Sequence, residues 1–404
     1  MKIAVIGQGY VGLSVAFEAS KAGHEVVGLD IDQQLVDDLQ NSKTVIPGVN
    51  KNLLTKLVSQ QKYKPTTDPK YIDNSDIIII AVPTPLNKNR KPDFKFLESA
   101  CKVISENVKK SALVVNESTS FPGTLRNFIK PLIEKNSNVS HLYSAAPERV
   151  DPGNLDWGIR NTPRVISGLT QESTSLAKEF YESFCEKVYI CESVEVAEAA
   201  KLFENTFRQI NIALVNEFSE IAYKIGFSAH EAIRAAATKP FGFMPFFPSI
   251  GVGGHCIPVD PSYLSFISEE FGVVAKFINL ANQVNSMQPK TVALRIADVL
   301  GGSLINKRIQ IAGISYKIDI PDLREAPALQ LMDELIELGA EVLWYDPVVK
   351  KHNDQFSRPL DSDIDLGLIV TPHTEIDFNI WKKANVRVLD LSANSNSYGW
   401  SKFL

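Results

Sequence analysis

The first 32 residues constrain the fold more than any other part of the chain. The apolar segment KIAVIG is typical of a β-strand, the segment 10–23 has apolar residues at helical spacing, and HEVVGLD is typical of a second strand. The first strand is joined to the helix by a GxGxxG turn formed by Gly7, Gln8, Gly9, Tyr10, Val11 and Gly12. In this context the glycines let the backbone approach a pyrophosphate, and the helix N-terminus supplies amides and partial positive charge. The sequence therefore predicts a βαβ dinucleotide-binding unit.

The second strand ends at Asp30, 18 residues after Gly12, where a carboxylate would accept hydrogen bonds from the adenosine ribose. The next segment contains Asp32, Asp37 and Asp38 and has no Lys or Arg before Lys43. A 2′-phosphate would be repelled there, so we predict NAD rather than NADP as the cofactor. The alternative is an ordinary glycine turn beside a surface aspartate.

The rest of the chain indicates an α/β protein. Further strands are predicted at 77–82, 113–116 and 165–168, with helices around 96–109 and 122–135. Such alternation is typical of a parallel, doubly wound sheet. A second α/β pattern starts at Lys307, with GISYK in place of a GxGxxG turn. The predicted fold is thus two Rossmann-like doubly wound domains joined by a central helical region.

One long helix is predicted in that central region. The segment 193–226 has no proline or internal glycine and carries apolar residues at spacings of three, four or seven. At ~1.5 Å per residue it would be on the order of 50 Å long, more than one small domain needs. We predict domains at 1–190, 191–300 and 301–404, and a homodimer or higher even oligomer formed through this helix.

Composition excludes several classes of protein. The 404 residues carry a net charge of −5, which argues against nucleic-acid binding. The longest aliphatic run, 77–82, is far shorter than the ~20 residues that span a bilayer, so no membrane insertion is expected. The four cysteines form no CxxC pair, and no signal peptide is recognisable, so a cytoplasmic location is expected. The six histidines lack metal-ligand spacing, so no metal is expected.

Four segments are candidates for the chemistry. The AVPTP and EST segments each follow an apolar strand, at the end where parallel sheets bind ligands, although ordinary loop residues would fit equally well. In GVGGHCIPVDP, the glycines suit phosphate oxygens, and Cys256 is either a thiolate nucleophile or a small buried residue. On the long helix, Lys201, Asn205 and Arg208 share one face, which is either solvated or bound to a phosphate, a sugar hydroxyl or an oxyanion.

These motifs occur in an order that resembles one family from end to end. The segments are GxGYVGL, AVPTP, EST with FPG, APERVDPGN, AKLFENTFRQINIALVNE, GVGGHCIPVDP and YKxxxxDLRExP. The chain resembles the UDP-glucose/GDP-mannose dehydrogenase family, whose members oxidise a sugar C6 alcohol to a carboxylate with NAD. PERVDPGN and KPFGFMPFFP resemble the branch that oxidises UDP-N-acetylhexosamines, particularly UDP-N-acetyl-D-glucosamine, for polysaccharide biosynthesis.

The resemblance implies a role for each matching residue. Cys256 would be the nucleophile, Lys201 and Asn205 would stabilise the oxyanion or hold the sugar, and Asp260, Thr119 and Glu148 would order or activate water. Substrate contacts are implied for Glu148, Arg149, Val150, Lys201, Asn205, Arg208, Gly251, Gly253 and Lys317. Cofactor contacts are implied for Gly7, Gly9, Tyr10, Val11, Gly12, Asp30, Pro83, Thr84, Ser118, Thr119 and Arg324.

Two departures from the family pattern stand out. Pro152 occupies a position where many UDP-glucose members carry a second Glu, so the water-activating base is open. The segment between Lys239 and His255 has no basic residue, which leaves a cross-subunit Arg contact in doubt. Within the family the alternative substrate is UDP-glucose. From outside it, a two-electron hydroxyacid dehydrogenase or a non-catalytic NAD-binding regulatory protein would have no need of Cys256.

Overall fold

The computed structural model describes residues 1–44, 46, 48–151, 154, 156–393 and 398–404. The chain forms two compact units, Met1–Glu204 and Asn205–Leu404. The boundary falls within one long helix, whereas the sequence analysis places domain boundaries near residues 190 and 300. The three-part division therefore stays a prediction.

The first unit is built on one eight-stranded sheet. Its strands are β1 (Lys2–Ile6), β2 (Glu25–Leu29), β3 (Tyr63–Thr66), β4 (Ile77–Ile80), β5 (Leu113–Asn116), β6 (Leu142–Ala145), β7 (Arg164–Gly168) and β8 (Val188–Ile190). They lie in the order β3-β2-β1-β4-β5-β6-β7-β8, and each neighbouring pair is parallel except the antiparallel pair β6–β7. The chain order reverses between β1 and β4, where doubly wound sheets bind their ligands.

Helices cover both faces of this sheet. They are α1 (Tyr10–Lys21), α2 (Gln33–Gln40), α3 (Lys51–Ser59), α4 (Lys95–Asn107), α5 (Lys130–Asn136) and α6 (Gln171–Glu182). Alternate residues of β1 enter opposite cores: Ile3 and Val5 pack in one, and Ala4 and Ile6 in the other. The helix predicted at 122–135 is divided, because a π-helical turn at Leu125–Ile129 precedes α5.

The predicted long helix is confirmed. Helix α7 (Val194–Ile225) has 32 residues and lies within one residue of the predicted bounds at each end. At ~1.5 Å per residue it is about 48 Å long. It ends at Gly226, whose φ of +95° favours glycine and closes the helix.

The second unit combines helices with a smaller sheet. Its helices are α8 (Ala229–Ala237), α9 (Asp260–Glu270), α10 (Lys276–Val299), α11 (Pro327–Glu337) and α12 (Asn379–Lys383). Its strands are β9 (Arg308–Ala312), β10 (Glu341–Tyr345), β11 (Lys351–His352), β12 (Gln355–Phe356), β13 (Leu366–Ile369) and β14 (Val388–Asp390). The parallel sheet has the order β10-β9-β13-β14, and β11 and β12 form a separate antiparallel pair. No helix in the described part of the chain is both long and apolar enough to cross a bilayer.

Candidate active site

The glycine turn after β1 has the shape that a pyrophosphate requires. Gly7 has φ +91°, and a β-carbon there would lie 2.4 Å from the Ala81 carbonyl oxygen. A β-carbon at Gly12 would lie 1.8 Å from the Gly7 oxygen. Packing within the protein therefore requires both glycines. A β-carbon at Gly9 would meet no atom of the described residues within 4 Å, so packing among them does not require glycine there, and its contact with the cofactor stays a prediction.

Gln8, which sequence reasoning did not single out, supports this turn from inside. Its buried amide donates to the carbonyls of Val5 and Gly7, each at 2.9 Å, and its Oε1 accepts the Tyr63 hydroxyl at 2.6 Å. Burial, followed by the nearby Asp30 charge, raises the pKa of Tyr63, so the phenol remains a donor. No sequence signal separates Gln8 from other residues allowed at the second position of GxGxxG.

Asp30 stands directly after β2 and is held by backbone amides. Its Oδ2 accepts the Gln8 N–H at 2.6 Å, and its Oδ1 accepts the Asp32 N–H at 3.0 Å. The carboxylate is half-buried, and each oxygen keeps a second lone pair. The arrangement suits ribose hydroxyls, and the residues present fit an NAD molecule.

The AVPTP and EST segments meet at the ends of β4 and β5. The Val82 N–H donates to Ser118 Oγ at 2.9 Å, and the Ser118 hydroxyl donates to the Ile80 carbonyl at 3.3 Å. Ser118 thus joins the two strand ends. Of the other predicted cofactor contacts in this segment, Pro83 is exposed and Thr84 is half-buried.

Lys201 and Thr119 form a direct pair. The Lys201 ammonium donates to Thr119 Oγ1 at 2.6 Å, and Lys201 is only 9% exposed. A buried ammonium requires polar partners, because an unsolvated charge is costly. The solvated-face alternative is therefore wrong for Lys201, although Arg208 on the same helix is exposed and Asn205 is half-buried.

The APERV segment contributes a buried carboxylate and a paired arginine. Glu148 is buried, and its Oε1 accepts the Val150 N–H at 2.7 Å. Arg149 donates to Glu204 Oε2 at 3.0 Å and to the Pro163 carbonyl at 3.1 Å. Binding a substrate phosphate through Arg149 would require these contacts to be shared or exchanged. Pro152 lies outside the described residues.

A second buried carboxylate is Glu117 of the EST segment, a candidate segment in which sequence reasoning assigned Glu117 no role of its own. It accepts the Tyr181 hydroxyl at 2.5 Å and lies 3.5 Å from Arg164. Burial raises the pKa of Glu117, and the Arg164 charge opposes that shift. Glu117 is part of the EST motif, but its partners Arg164 and Tyr181 are 47 and 64 residues away in sequence, so the motif alone does not indicate them.

Cys256 differs from the other three cysteines. Cys101, Cys185 and Cys191 are buried, and burial raises the pKa of each thiol, to about 12 for Cys101. Cys256 is only partly buried. Its carbonyl accepts the N–H groups of Val259 at 3.1 Å and Asp260 at 2.8 Å, which sets a tight turn into α9.

Asp260 and Asn205 form a pair beside this turn. Asp260 is the first residue of α9 and is fully buried, and the Asn205 amide donates to its Oδ2 at 2.6 Å. A carboxylate at a helix N-terminus is favoured by the helix dipole. Of the residues predicted to carry chemistry, the structure thus brings together Asn205 with Asp260, and Lys201 with Thr119.

The glycines before Cys256 are explained by close packing. A β-carbon at Gly253 would lie 2.8 Å from Tyr316 Cβ, and one at Gly254 would lie 2.9 Å from the Tyr316 ring. A β-carbon at Gly251 would lie 3.2 Å from the Asn285 carbonyl oxygen. The loop is therefore closely packed at these three glycines. Phosphate contacts at Gly251 and Gly253 stay a prediction.

The second unit repeats the turn of the first, with one difference. Gly313 has φ +81° and donates to the Tyr345 carbonyl at 2.8 Å, as Gly7 does to Leu29. Asp346, like Asp30, accepts the amide that follows this glycine, here from Ile314 at 2.9 Å. Asp346, however, is fully buried and also accepts the amides of Ser315, Val348 and Val349. His373, at 3.0 Å, completes the shell, so this carboxylate has no face left for a ribose.

The segment that follows this turn carries the remaining candidates. Lys317 is half-buried, and its carbonyl accepts the Ser315 hydroxyl at 2.9 Å. The Arg324 guanidinium forms a chelated pair with Asp322, with Nε 3.0 Å from both carboxylate oxygens. Arg324 also accepts the Gly254 N–H on its carbonyl at 3.0 Å, which ties this segment to the Cys256 loop. Ligand contacts through Lys317 and Arg324 stay predictions.

Comparison with known proteins agrees with this fold. Models of the UDP-glucose/GDP-mannose dehydrogenase family match residues 1–185 (NAD-binding domain), 195–287 (central domain) and 310–393 (UDP-binding domain). The chain belongs to this family and is an NAD-dependent nucleotide-sugar dehydrogenase.

Several relatives resemble the chain over nearly its whole length. The UDP-N-acetyl-D-mannosamine dehydrogenase of Pyrococcus horikoshii is 34% identical over 95% of this chain and 92% of its own. That of Methanococcus aeolicus is 35% identical over 96% of this chain and 87% of its own. The solved structure of the Pyrococcus horikoshii enzyme has a TM-score of 0.86 at 29% identity and covers 99% of this chain and 98% of that one. The solved structure of the UDP-N-acetyl-mannosamine dehydrogenase Cap5O of Staphylococcus aureus has a TM-score of 0.83 at 30% identity. It covers 100% of this chain and 96% of that one.

Asp30 provides a direct test of the cofactor site. Replacing Asp30 with alanine should weaken NAD binding about tenfold or more, because hydrogen bonds to a charged group contribute roughly 1.5–3 kcal/mol. NADP binding should change less, so the preference for NAD should narrow. Dissociation constants for both cofactors, measured by fluorescence titration, check this expectation. Asp73→Ala is the matched control and should leave both constants unchanged, since Asp73 accepts the Lys109 N–H at 3.1 Å and precedes β4, away from the glycine turn. A wild-type protein that binds NADP as tightly as NAD would contradict the role given to Asp30.

Proposed function

We propose that the chain oxidises the C6 hydroxyl of a UDP-N-acetylhexosamine to the carboxylate, with Cys256 as a covalent nucleophile. The observation that carries the proposal is the setting of Cys256. It is the only partly accessible cysteine among the four, and its turn leads directly into the buried Asp260–Asn205 pair. A buried packing residue would resemble the other three thiols.

The residues divide the reaction between them. NAD, when bound, would supply the hydride acceptor for both oxidations. Lys201 stabilises the C6 oxygen as the first hydride leaves and the hydroxyl proton passes to water, and its Thr119 partner orients the ammonium. The Cys256 thiolate then adds to the aldehyde carbon, and the carbonyl oxygen takes up a proton to form a thiohemiacetal.

Water completes the turnover. Loss of the second hydride and the hydroxyl proton converts the thiohemiacetal into a thioester. Asp260, Thr119 and Glu148 hold the water that attacks the thioester, and the uronate leaves as Cys256 is regenerated. One sugar and one water thus yield two hydrides and one carboxylate. Arg149, Val150, Arg208, Lys317 and the glycines of the Cys256 loop bind the nucleotide sugar, and Arg324 contacts NAD.

The configuration at C2 of the sugar is the finer part of the proposal. Sequence motifs favour UDP-N-acetyl-D-glucosamine, whereas the relatives described above carry the name of its C2 epimer, N-acetyl-D-mannosamine. End-to-end similarity is the broader argument, so we propose the manno epimer as the substrate and the gluco epimer as the alternative. Both share the acetamido group that UDP-glucose lacks.

A panel of three nucleotide sugars tests this function. UDP-N-acetylmannosamine, UDP-N-acetylglucosamine and UDP-glucose are each incubated with NAD, and NADH, product mass and C2 configuration are measured. We expect two NADH per sugar and the highest kcat/KM with the manno epimer. The rate should fall by roughly 10–200-fold with UDP-glucose, because the acetamido contacts are lost. Equal or better use of UDP-glucose would overturn the acetamido assignment, and absence of NADH with all three would overturn the function.

We also propose that residues 191–300 mediate self-association through α7. Apolar side chains on one stripe of this helix are exposed: Phe203, Phe207, Leu214, Ile221 and Ile225. Burying a leucine contributes about 1.5–3 kcal/mol, and a symmetric dimer counts it twice. An exposed apolar stripe of this kind is typical of an interface.

Leu214→Gln should therefore weaken the dimer or higher even oligomer. Glu220→Gln, on the same helix but outside the stripe, is the matched control and should leave the assembly unchanged. Sedimentation equilibrium of all three proteins at micromolar concentration measures the effect. A monomeric wild type would refute the oligomer, and equal behaviour of the two variants would refute the assignment to this stripe.

A further inference from the structure

Glu198 is a buried carboxylate with no role in the reaction as proposed so far. It lies in the first turns of α7, three residues before Lys201, and is 2% exposed. Its carboxylate accepts the Gly123 N–H at 2.7 Å, the Leu125 N–H at 2.9 Å and the Ser120 hydroxyl at 3.3 Å. Residues three apart share a helix face, so Glu198 and Lys201 contact the same segment, 119–125.

This segment depends on an acceptor from outside itself. Gly123 has φ +94°, and the Leu125 N–H opens the helical stretch from Leu125 to Asn136. The first amides of a helix have no partners within it, and a negative charge at this end is favourable. Glu198 supplies both the acceptor and the charge from a residue 73 positions away in sequence.

Burial and the three hydrogen bonds shift the pKa of Glu198 in opposite directions. Burial raises the pKa of Glu198 to about 7, while the hydrogen bonds from Leu125, Gly123 and Ser120 favour the ionised form. The charge of Glu195 acts on Glu198 in the same direction as burial, and Glu195 is itself paired with Arg126 at 2.7 Å in a partly exposed ion pair. A glutamine or a protonated glutamate has a hydrogen-bond donor on one of its terminal atoms. That donor would face the N–H of Gly123 or Leu125, which is itself a donor, so one hydrogen bond would be lost.

We propose that Glu198 is a positioning residue: by holding the segment 119–125 against α7, it keeps the Thr119 hydroxyl within hydrogen-bond reach of Lys201. The proposal rests on the proposed function, in which Lys201 and Thr119 act on the substrate. Displacement of this segment would separate the pair while leaving in place the glycine turn between β1 and α1 and the Asp30 carboxylate after β2.

Glu198→Gln tests the proposal against Glu195→Gln. Gln has one acceptor oxygen, and its amide would face a backbone N–H. We expect kcat with the nucleotide sugar to fall about 10–100-fold, as a misplacement near 1 Å does. The KM for NAD should rise by a smaller factor than kcat falls, since the glycine turn and Asp30 are unaffected and only the predicted Thr119 contact is displaced. Glu195→Gln should change kcat less than about twofold, because exposed ion pairs contribute little.

A double-mutant cycle separates positioning from general destabilisation. In a protein that already carries Lys201→Met, adding Glu198→Gln should lower kcat by less than about threefold. Two residues that act through the same Lys201–Thr119 pair have effects on kcat that do not add. Glu198→Asp, which keeps the charge on a shorter side chain, should give an intermediate loss. Wild-type kcat in Glu198→Gln, or the same loss in both backgrounds, would overturn the proposal.

Hydrogen exchange provides a readout that does not require a substrate. The Gly123 and Leu125 amides should exchange more than about tenfold faster in Glu198→Gln but not in Glu195→Gln. If the wild type oxidises none of the nucleotide sugars, the proposed function is wrong. The exchange rates of the Gly123 and Leu125 amides then still test whether Glu198 holds the segment 119–125. Unchanged exchange at both amides would show that Glu198 does not hold the segment.

Discussion

Replacing Cys256 with alanine should stop uronate formation while NAD and the nucleotide sugar still bind. The second hydride can leave only after a nucleophile has added to the aldehyde carbon, and alanine offers none. We expect four-electron turnover to fall by at least ~10⁴-fold, since removal of a covalent nucleophile can cost up to about 10⁶-fold. The measurements are NADH per sugar, product mass and the binding constants of both ligands.

Serine at the same position separates nucleophilicity from shape. Cys256→Ser should form an ester that hydrolyses slowly, and intact-protein mass during turnover should detect it. Cys101→Ala is the matched control, because Cys101 is buried in α4 and should retain the wild-type rate apart from a loss of stability. Full four-electron turnover by Cys256→Ala at the wild-type rate would end the covalent proposal.

Replacing Lys201 with methionine should slow both oxidations. Methionine keeps an apolar stem of similar length but removes the ammonium that donates to Thr119. Loss of one donor to a developing oxyanion costs on the order of 10²–10³-fold in kcat. Single-turnover kinetics should show slower formation of both the first and the second NADH. The dissociation constant for NAD should change little.

Lys224→Met is the control for the Lys201 prediction. Lys224 lies in the last turn of the same helix and is exposed, so its replacement should leave both steps at the wild-type rate. A Lys201→Met protein that delays only the second NADH would place Lys201 in the thiohemiacetal step alone. Wild-type kinetics for both steps would remove Lys201 from the chemistry.

Much of the cofactor site could be predicted because its parts are local. The GxGxxG turn occupies consecutive residues, and Asp30 follows within one βαβ unit, where strand and helix lengths determine its position. Cys256 and Asp260 are likewise within one turn of each other. Gln8 was missed although it belongs to the same turn, because its role depends on Tyr63, which lies 55 residues away on β3.

The sequence by itself determined the class of fold, the long helix, the NAD turn and the candidate nucleophile, since each depends on periodicity or on neighbours along the chain. Tertiary structure decided which side chains meet. Lys201 reaches Thr119 across 82 residues, Asn205 reaches Asp260 across 55, and Glu198 reaches Gly123 across 75. Tertiary structure also decided that Asp346 is fully buried among hydrogen-bond donors while Asp30 is only half-buried, although each follows the second strand of a similar βαβ unit. The physical reason is that a hydrogen bond requires donor and acceptor to be about 3 Å apart, and only the packing of distant elements sets that distance.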